Sequence, residues 1–372
     1  MTRIRPTIAL AAAASLLASC AATVDEIVQI DDAGADAGLL DPADAGADAG
    51  LVAPEDAGAD ASLVDAEDAG IDAGLLDPAD AGSIPDAGTD AGASNGVVGP
   101  RLSTFVPSGP LTLVAGQEIS GLHVTTTSGP CIRVSDATGV WIHDCRIGPC
   151  GPDESGVGVS VENSSDVHVD HNLATRIRGP MPRGQLVQFN GVHGAGHRIV
   201  CNVSDQTTPG YLDGPEDHVN IFSSGGTANS PILIAFNKIR GGGPSVSGGG
   251  LLAGDNDSEF VDLTDNVLVS PGQYGVAIAG GRNFRVLRNR VYAPQAYAWS
   301  NIGLYVWNQT QGSECSGHEV SGNRVFYLGP DGQNPAWDGG NCGVILGWDT
   351  ENIWGDATLG PDIWDEVFAE CL

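Results

Sequence analysis

The chain has 372 residues, of which 47 are Asp or Glu and 16 are Lys or Arg, giving a formal charge of −31 at neutral pH. So negative a surface repels phosphate, and no basic patch with interleaved aromatics offsets it, which excludes nucleic acid as a partner. The charge is unevenly spread: +2 over the first twenty residues, −19 over residues 21–100, and −14 over the remainder.

Arg3 and Arg5 precede an apolar run from Ile8 to Ala18. About a dozen apolar residues are too few to span a bilayer and read as an export signal. The run closes on Leu17-Ala18-Ser19-Cys20, which resembles the lipobox of bacterial lipoproteins. That resemblance implies a lipoprotein signal peptide over residues 1–20 and a lipidated Cys20 at the mature N-terminus. Ala21 and Ala22, with no aspartate beside Cys20, imply a lipid anchor in the outer membrane, with the protein periplasmic or at the cell surface.

Residues 21–100 contain 19 Asp or Glu, no Lys or Arg, and ten copies of Asp-Ala-Gly. Such a stretch buries nothing and repels itself, so the expectation is a disordered acidic linker.

From residue 101 onward a phrase recurs. Val-His-Val-Asp-His-Asn172 is followed by equivalents ending in Asn202, Asn237, Asn266, Asn289 and Asn323, at spacings of 30, 35, 29, 23 and 34 residues. Cys145 extends the series upstream by 27. Alternating apolar residues leading to a polar turn at this period predict a solenoid of parallel strands. Each coil reads as two kinds of strand, one before the asparagine, as in Ile232 to Phe236, and one earlier, as in His218 to Phe222. Alternation points Val219, Ile221, Val276, Ile278, Leu304 and Val306 inward. The asparagine itself is expected in the left-handed region at the bend, bonding along the stack.

These phrases resemble the right-handed parallel β-helix repeat proteins, the pectate-lyase-like superfamily that also contains polygalacturonases. The resemblance implies an all-β right-handed solenoid of about eight coils over residues 101–348, preceded by the disordered tether. The period is lost over residues 349–372, which are expected to cap the last coil. Among the seven cysteines after Cys20, Cys315 and Cys342 lie 27 residues apart, close to one coil, and neighbouring coils sit about 4.8 Å apart. A disulfide between them is predicted. Cys131, Cys145 and Cys150 offer a second bridge, and Cys201 and Cys371 have no assigned partner.

Outer-face positions of the earlier strand line up one per coil, giving a shallow floor that includes Gln188, Asn190, Asn220, Ala277, Ala279, Tyr305 and Trp307. Amides for hydroxyl groups and aromatic faces for pyranose rings suit an extended polysaccharide. Glu216 and Asp217 run into this floor, and Asp255 and Asp257 leave it one coil later. Pectate lyases bind calcium on carboxylates of adjacent coils, with an arginine or lysine as base. By that resemblance Glu216, Asp217, Asp255 and Asp257 are the metal candidates, calcium the cofactor, and a perhaps uronate-containing polysaccharide the substrate.

Asp217, His218, Asp255 and Lys238, the only lysine, are the catalytic candidates. Paired aspartates of a hydrolase would instead serve as general acid and base, but the polygalacturonase aspartate signature is missing. Strand rise alone places Asp217 and Asp255 more than about 10 Å apart, and Lys238 shares a register with Arg146, Arg290 and Arg324. The glycine-rich segment Gly241 to Gly250 is expected to be a flexible rim. The sequence thus points to a monomeric carbohydrate-active protein with lyase-like chemistry. A non-catalytic adhesin or structural spacer is the alternative.

Overall fold

Three strands per coil build the domain, where alternation alone suggested two. A computed structural model describes residues 96–371 apart from 154, 180–183, 208–213, 244 and 311, so Cys20, the export signal and nearly all of the acidic stretch lie outside the described residues. Sheet I runs from Val106–Ser108 through Leu122–Thr126 and Arg146–Cys150 to Arg324–Gly329. Sheet II has nine strands, from Leu111–Leu113 to Ala336–Asp338, and sheet III has eight, from Glu118–Ile119 to Glu319–Ser321. Pairing between coils is parallel in all three, and the chain visits them in the order I, II, III before climbing one coil. The protein is an all-β parallel β-helix.

The third set of strands escapes a reading by periodicity because its central members are short. Leu173–Ala174, Val203–Asp205, Lys238–Arg240 and Val267–Val269 have only two or three residues each, directly after the recurrent asparagine.

Each sheet turns columns of apolar side chains into the core. In sheet II, Ile132, Val159, Val187, Val219, Leu251, Val276 and Leu304 stack in register, and all are essentially inaccessible. In sheet III the column is Ile142, Val169, Ile199, Ile234, Leu263, Val286 and Val320. Burial of these columns is the main stabilising contribution, and no single coil could supply it alone.

The asparagines form a continuous buried row. The backbone N–H and Nδ2 of Asn202 both donate to Asn237 Oδ1, at 3.0 and 3.1 Å, and Asn237 Nδ2 donates to the Ile199 carbonyl at 2.8 Å. The same pattern links Asn172 to Asn202, Asn237 to Asn266, Asn266 to Asn289, Asn289 to Asn323, and Asn323 to Asn352. The left-handed residue is not the asparagine but the one before it: His171, Cys201, Phe236, Asp265 and Arg288 all have φ between 52 and 57°. That twist swings the asparagine inward, where its amide satisfies backbone groups that the corner would otherwise orphan.

The C-terminal segment first adds to the stack, with Trp354 packed against the core, and then leaves it. Ile353–Trp354 adds to sheet I beside Arg324–Gly329, and residues 355–371 then double back along the outer face of sheet I. Asp356 accepts from Arg324 at 2.7 Å, Trp364 lies under Arg240 at 4.1 Å, Glu366 pairs with Arg290, and Phe368 packs on Phe236 at 5.5 Å. The strap ends in a disulfide from Cys371 to Cys201, beside the point where the Gly99 N–H donates to the Cys201 carbonyl at 2.8 Å. Disulfides also join Cys131 to Cys150 and Cys315 to Cys342, and Cys145 is a buried free thiol. Val344 and Leu346 on the last rung stay exposed.

Candidate functional site

The outer face of sheet II carries a cluster of polar side chains assembled from four coils. Asn220, in Val219–Phe222, lies in register with Gln188 on one side and Leu252 on the other, and the row continues through Ala277 and Tyr305 to Trp337. Gln188 Nε2 donates to Asn220 Oδ1 at 3.2 Å, and Asn220 Nδ2 donates to Asp217 Oδ2 at 3.2 Å. Asn220 is also close enough to Asp255 to lower its pKa. Asn220 is therefore a neighbour of both carboxyl groups.

A bulge explains this meeting. Strict alternation from Leu251 would turn Asp255 toward the core, but the register slips so that Ile221 faces Ala253 while Phe222 faces Asp255. Gly254 is the extra residue, at φ +88°, and a Cβ there would sit 2.1 Å from the Gly280 carbonyl oxygen. The inserted glycine flips Asp255 outward, beside Asn220.

Asp217 is 4% exposed and surrounded by donors. Its Oδ1 accepts from the Gly249 N–H at 3.1 Å and, at short range, from the Tyr274 hydroxyl. Asp217, Gly249 and Tyr274 each precede by two residues a member of the paired trio Val219, Leu251 and Val276, so they follow one another on consecutive coils. Tyr274 can reach across because Gly249 has no side chain; a Cβ there would lie 2.7 Å from the Tyr274 ring. Tyr305 stands edge-on to Tyr274 with ring centroids 5.5 Å apart, and its hydroxyl accepts from Gln309 Nε2 at 2.8 Å. Beyond it, Trp307 and Trp337 lie 5.8 Å apart, with Trp337 42% exposed.

Burial, and then the negative charge of Glu216, push the Asp217 carboxyl well above the ordinary aspartate range, against the pull of its hydrogen bonds. Burial likewise raises Asp255, offset in part by Asn220. Both groups hold their protons to higher pH than a solvated aspartate. Such a pair can donate a proton to, or share one with, a bound oxygen.

The remaining predicted residues are placed elsewhere. His218, just before Val219–Phe222, is fully buried and turns toward sheet I, with Nδ1 2.7 Å from the Ser204 hydroxyl and Nε2 2.9 Å from the Gly241 carbonyl oxygen. Burial lowers its pKa to about 4, so it is a neutral core residue bridging to sheet I, not a base at the outer face. Lys238 lies on sheet I beneath the strap, 5.9 Å from the Trp364 ring, in register with Val203 and Val267, and the column reaches Arg290 and Arg324. A different sheet and a covering segment separate it from Asp217.

Glu216 is buried and accepts from Ser245 and, at 2.6 Å, from Ser247. The segment expected to be a flexible rim is in fact packed tightly here: a Cβ at Gly248 would lie 1.8 Å from the Glu216 carbonyl oxygen. Asp257 sits on an exposed turn at φ 68°.

These positions do not fit calcium. Among the described residues no three carboxylates bring an oxygen each within 4.8 Å of one another. The oxygens of Asp217 and Glu216 face hydroxyl and N–H donors, which take the places of a cation.

The floor is less open than alternation implied. Ala277 and Ala279 are buried, Ala277 beneath Tyr274 and Tyr305, and Asn220 is only 8% exposed. Asn190, by contrast, is exposed at the end of Val187–Asn190. A shallow depression lined by Pro110, Thr125, Thr126, Thr127, Pro149 and Pro152 lies on the first coils and contains no titratable group. Sequence reasoning missed Tyr274, Gln309 and Trp337. The stacking register alone would have found Trp337, one rung above Tyr305. No protein-family model matches this chain, and no match was found among the curated proteins.

Proposed function

We propose that this is an exported carbohydrate-active protein, held at the outer membrane through lipid on Cys20, that binds an extended polysaccharide along the outer face of sheet II and cleaves it with acid assistance from Asp255 and Asp217. The carrying observation is the single register row that joins Gln188 and Asn220, with Asp217 bonded to Asn220 and Asp255 beside it, to Tyr305 and Trp337. From Asn220 to Trp337 the row climbs four rungs, about 19 Å at the spacing of paired strands. That length and mixture of amides, acids and aromatic faces matches a chain of sugar rings better than a compact ligand.

The lyase route of the pectate-lyase-like proteins asks for calcium and a nearby cationic base. Asp217 and Glu216 are already engaged by hydrogen-bond donors, and Lys238 lies on another sheet, so general-acid chemistry fits better than proton abstraction next to a uronate. Asp255, the more accessible of the pair, is assigned as proton donor, and Asp217 as the group that holds Asn220 and keeps the site protonated. One observation favours a second reading, a non-catalytic adhesin: both oxygens of Asp217 are satisfied within the protein.

Release of reducing ends from a panel of neutral and acidic polysaccharides separates the two. The wild-type protein is expected to release them, with the rate falling as pH rises through the raised Asp255 pKa, and Asp255→Asn to lose at least about tenfold. Binding without release in the wild type would leave the adhesin reading; neither binding nor release would defeat both.

A further inference from the structure

We propose that His171, Cys201 and Cys371 form a second, unrelated site, which binds a thiophilic divalent cation of the zinc(II) type when the Cys201–Cys371 disulfide is reduced. One ring nitrogen of His171 and the two sulfurs all lie within 4.8 Å of one another. His171 is 8% exposed and neither ring nitrogen meets a partner at ordinary hydrogen-bond geometry; the Cys371 backbone is near enough to act as a weak acceptor, and the charges of Arg101, Asp170 and Asp144 also act on the ring. A buried imidazole with no well-formed hydrogen bond at either nitrogen is costly and calls for a reason. A cation held between it and two sulfurs supplies one.

The chemistry balances. A dithiol delivers two electrons and two protons to the Cys201–Cys371 bond, giving two thiols while closing to its own cyclic disulfide. Zinc(II) then displaces both thiol protons. Two thiolates and one divalent ion are neutral together, which suits a buried position, and a neutral imidazole completes three protein ligands with one place open. Tetrahedral zinc with bonds of about 2.3 Å to sulfur and about 2.0 Å to nitrogen requires ligand atoms roughly 3.5 to 3.8 Å apart. The sulfurs need only part to that distance while the imidazole stays in reach.

The position gives the site a role. Cys371 is the anchor of the strap over sheet I and Cys201 precedes an asparagine of the buried row. A bound ion would keep the strap fastened where reducing conditions had opened the disulfide. Cys315, Cys342 and His318 repeat the grouping, but His318 has a neighbour at each nitrogen, the Phe284 N–H at 3.4 Å and Cys315 Sγ at 3.3 Å. They serve as the internal comparison.

The test uses the full chain reduced with a phosphine, which does not compete for zinc(II), then loaded with zinc(II) and desalted, with metal content and circular dichroism read together. Reduced wild-type protein is expected to retain its β-sheet signal and carry zinc, and reduced His171→Gln to carry about one equivalent less. The oxidised wild type should carry none at this site. Equal zinc in reduced wild type and His171→Gln would overturn the proposal. So would reduced wild type that stays folded without zinc, or that loses its sheet signal with zinc present.

Discussion

Asp217 shows most clearly what single residues contribute. Four donors or charges converge on it in a place from which water is nearly excluded, and burial dominates, so the folded protein favours the protonated acid. Linkage then fixes the sign. With a folded pKa above the unfolded one, the group's contribution to stability is complete below the ordinary aspartate range and is lost as pH rises toward the raised value. Each unit of that difference is worth about 1.4 kcal/mol. Asp217→Asn, which cannot ionise, should flatten the dependence of unfolding free energy on pH between about 4 and neutrality. Urea titrations at several pH values check this, and a slope equal to that of the wild type would show that Asp217 is not the buried acid described. His218, next in sequence, demonstrates the opposite outcome: the same burial lowers its pKa and leaves a neutral core residue.

At the scale of elements, the corner between sheets III and I is the part most legible in the sequence. A buried hydrogen-bond row needs the same amide in every coil, so Asn172, Asn202, Asn237, Asn266, Asn289 and Asn323 recur visibly, and Asn352 belongs with them although the phrase around it has decayed. What could not be read were features that break periodicity or are too short to have one. The strands of sheet I that follow Asn172, Asn202, Asn237 and Asn266 are only two or three residues long, and the bulge at Gly254 reverses the face of Asp255. Asn237→Ala tests the row. It removes the acceptor of the Asn202 N–H and Nδ2 and the donor to the Ile199 carbonyl. Orphaned buried groups cost about 1–3 kcal/mol each, so a loss of about 3 kcal/mol or more is expected by equilibrium denaturation. A loss below about 1 kcal/mol would mean the amides are not what holds the corner.

The whole molecule is a stack whose three faces differ in use. Sheet I is covered by its own C-terminal strap, which sits on Lys238, Arg240, Arg290 and Arg324. This doubling back was not legible, because the Cys201–Cys371 link spans 170 residues and spacing carries no information at that range. Sheet III presents ion pairs such as Arg198 with Asp170 and Arg285 with Asp262. Sheet II alone combines carboxyl groups held above their usual pKa with exposed aromatic rings, and the proposed glycan path runs along it. The measurement that tests this most directly is a glycan array probed with the full-length protein and with Trp337→Ala, whose ring lies at the open end of the row. A polysaccharide bound by the wild type and lost or weakened about tenfold or more in the variant, with unfolding unchanged, is the predicted result. A ligand bound equally by both proteins, or no glycan bound by either, would contradict the assignment of that face.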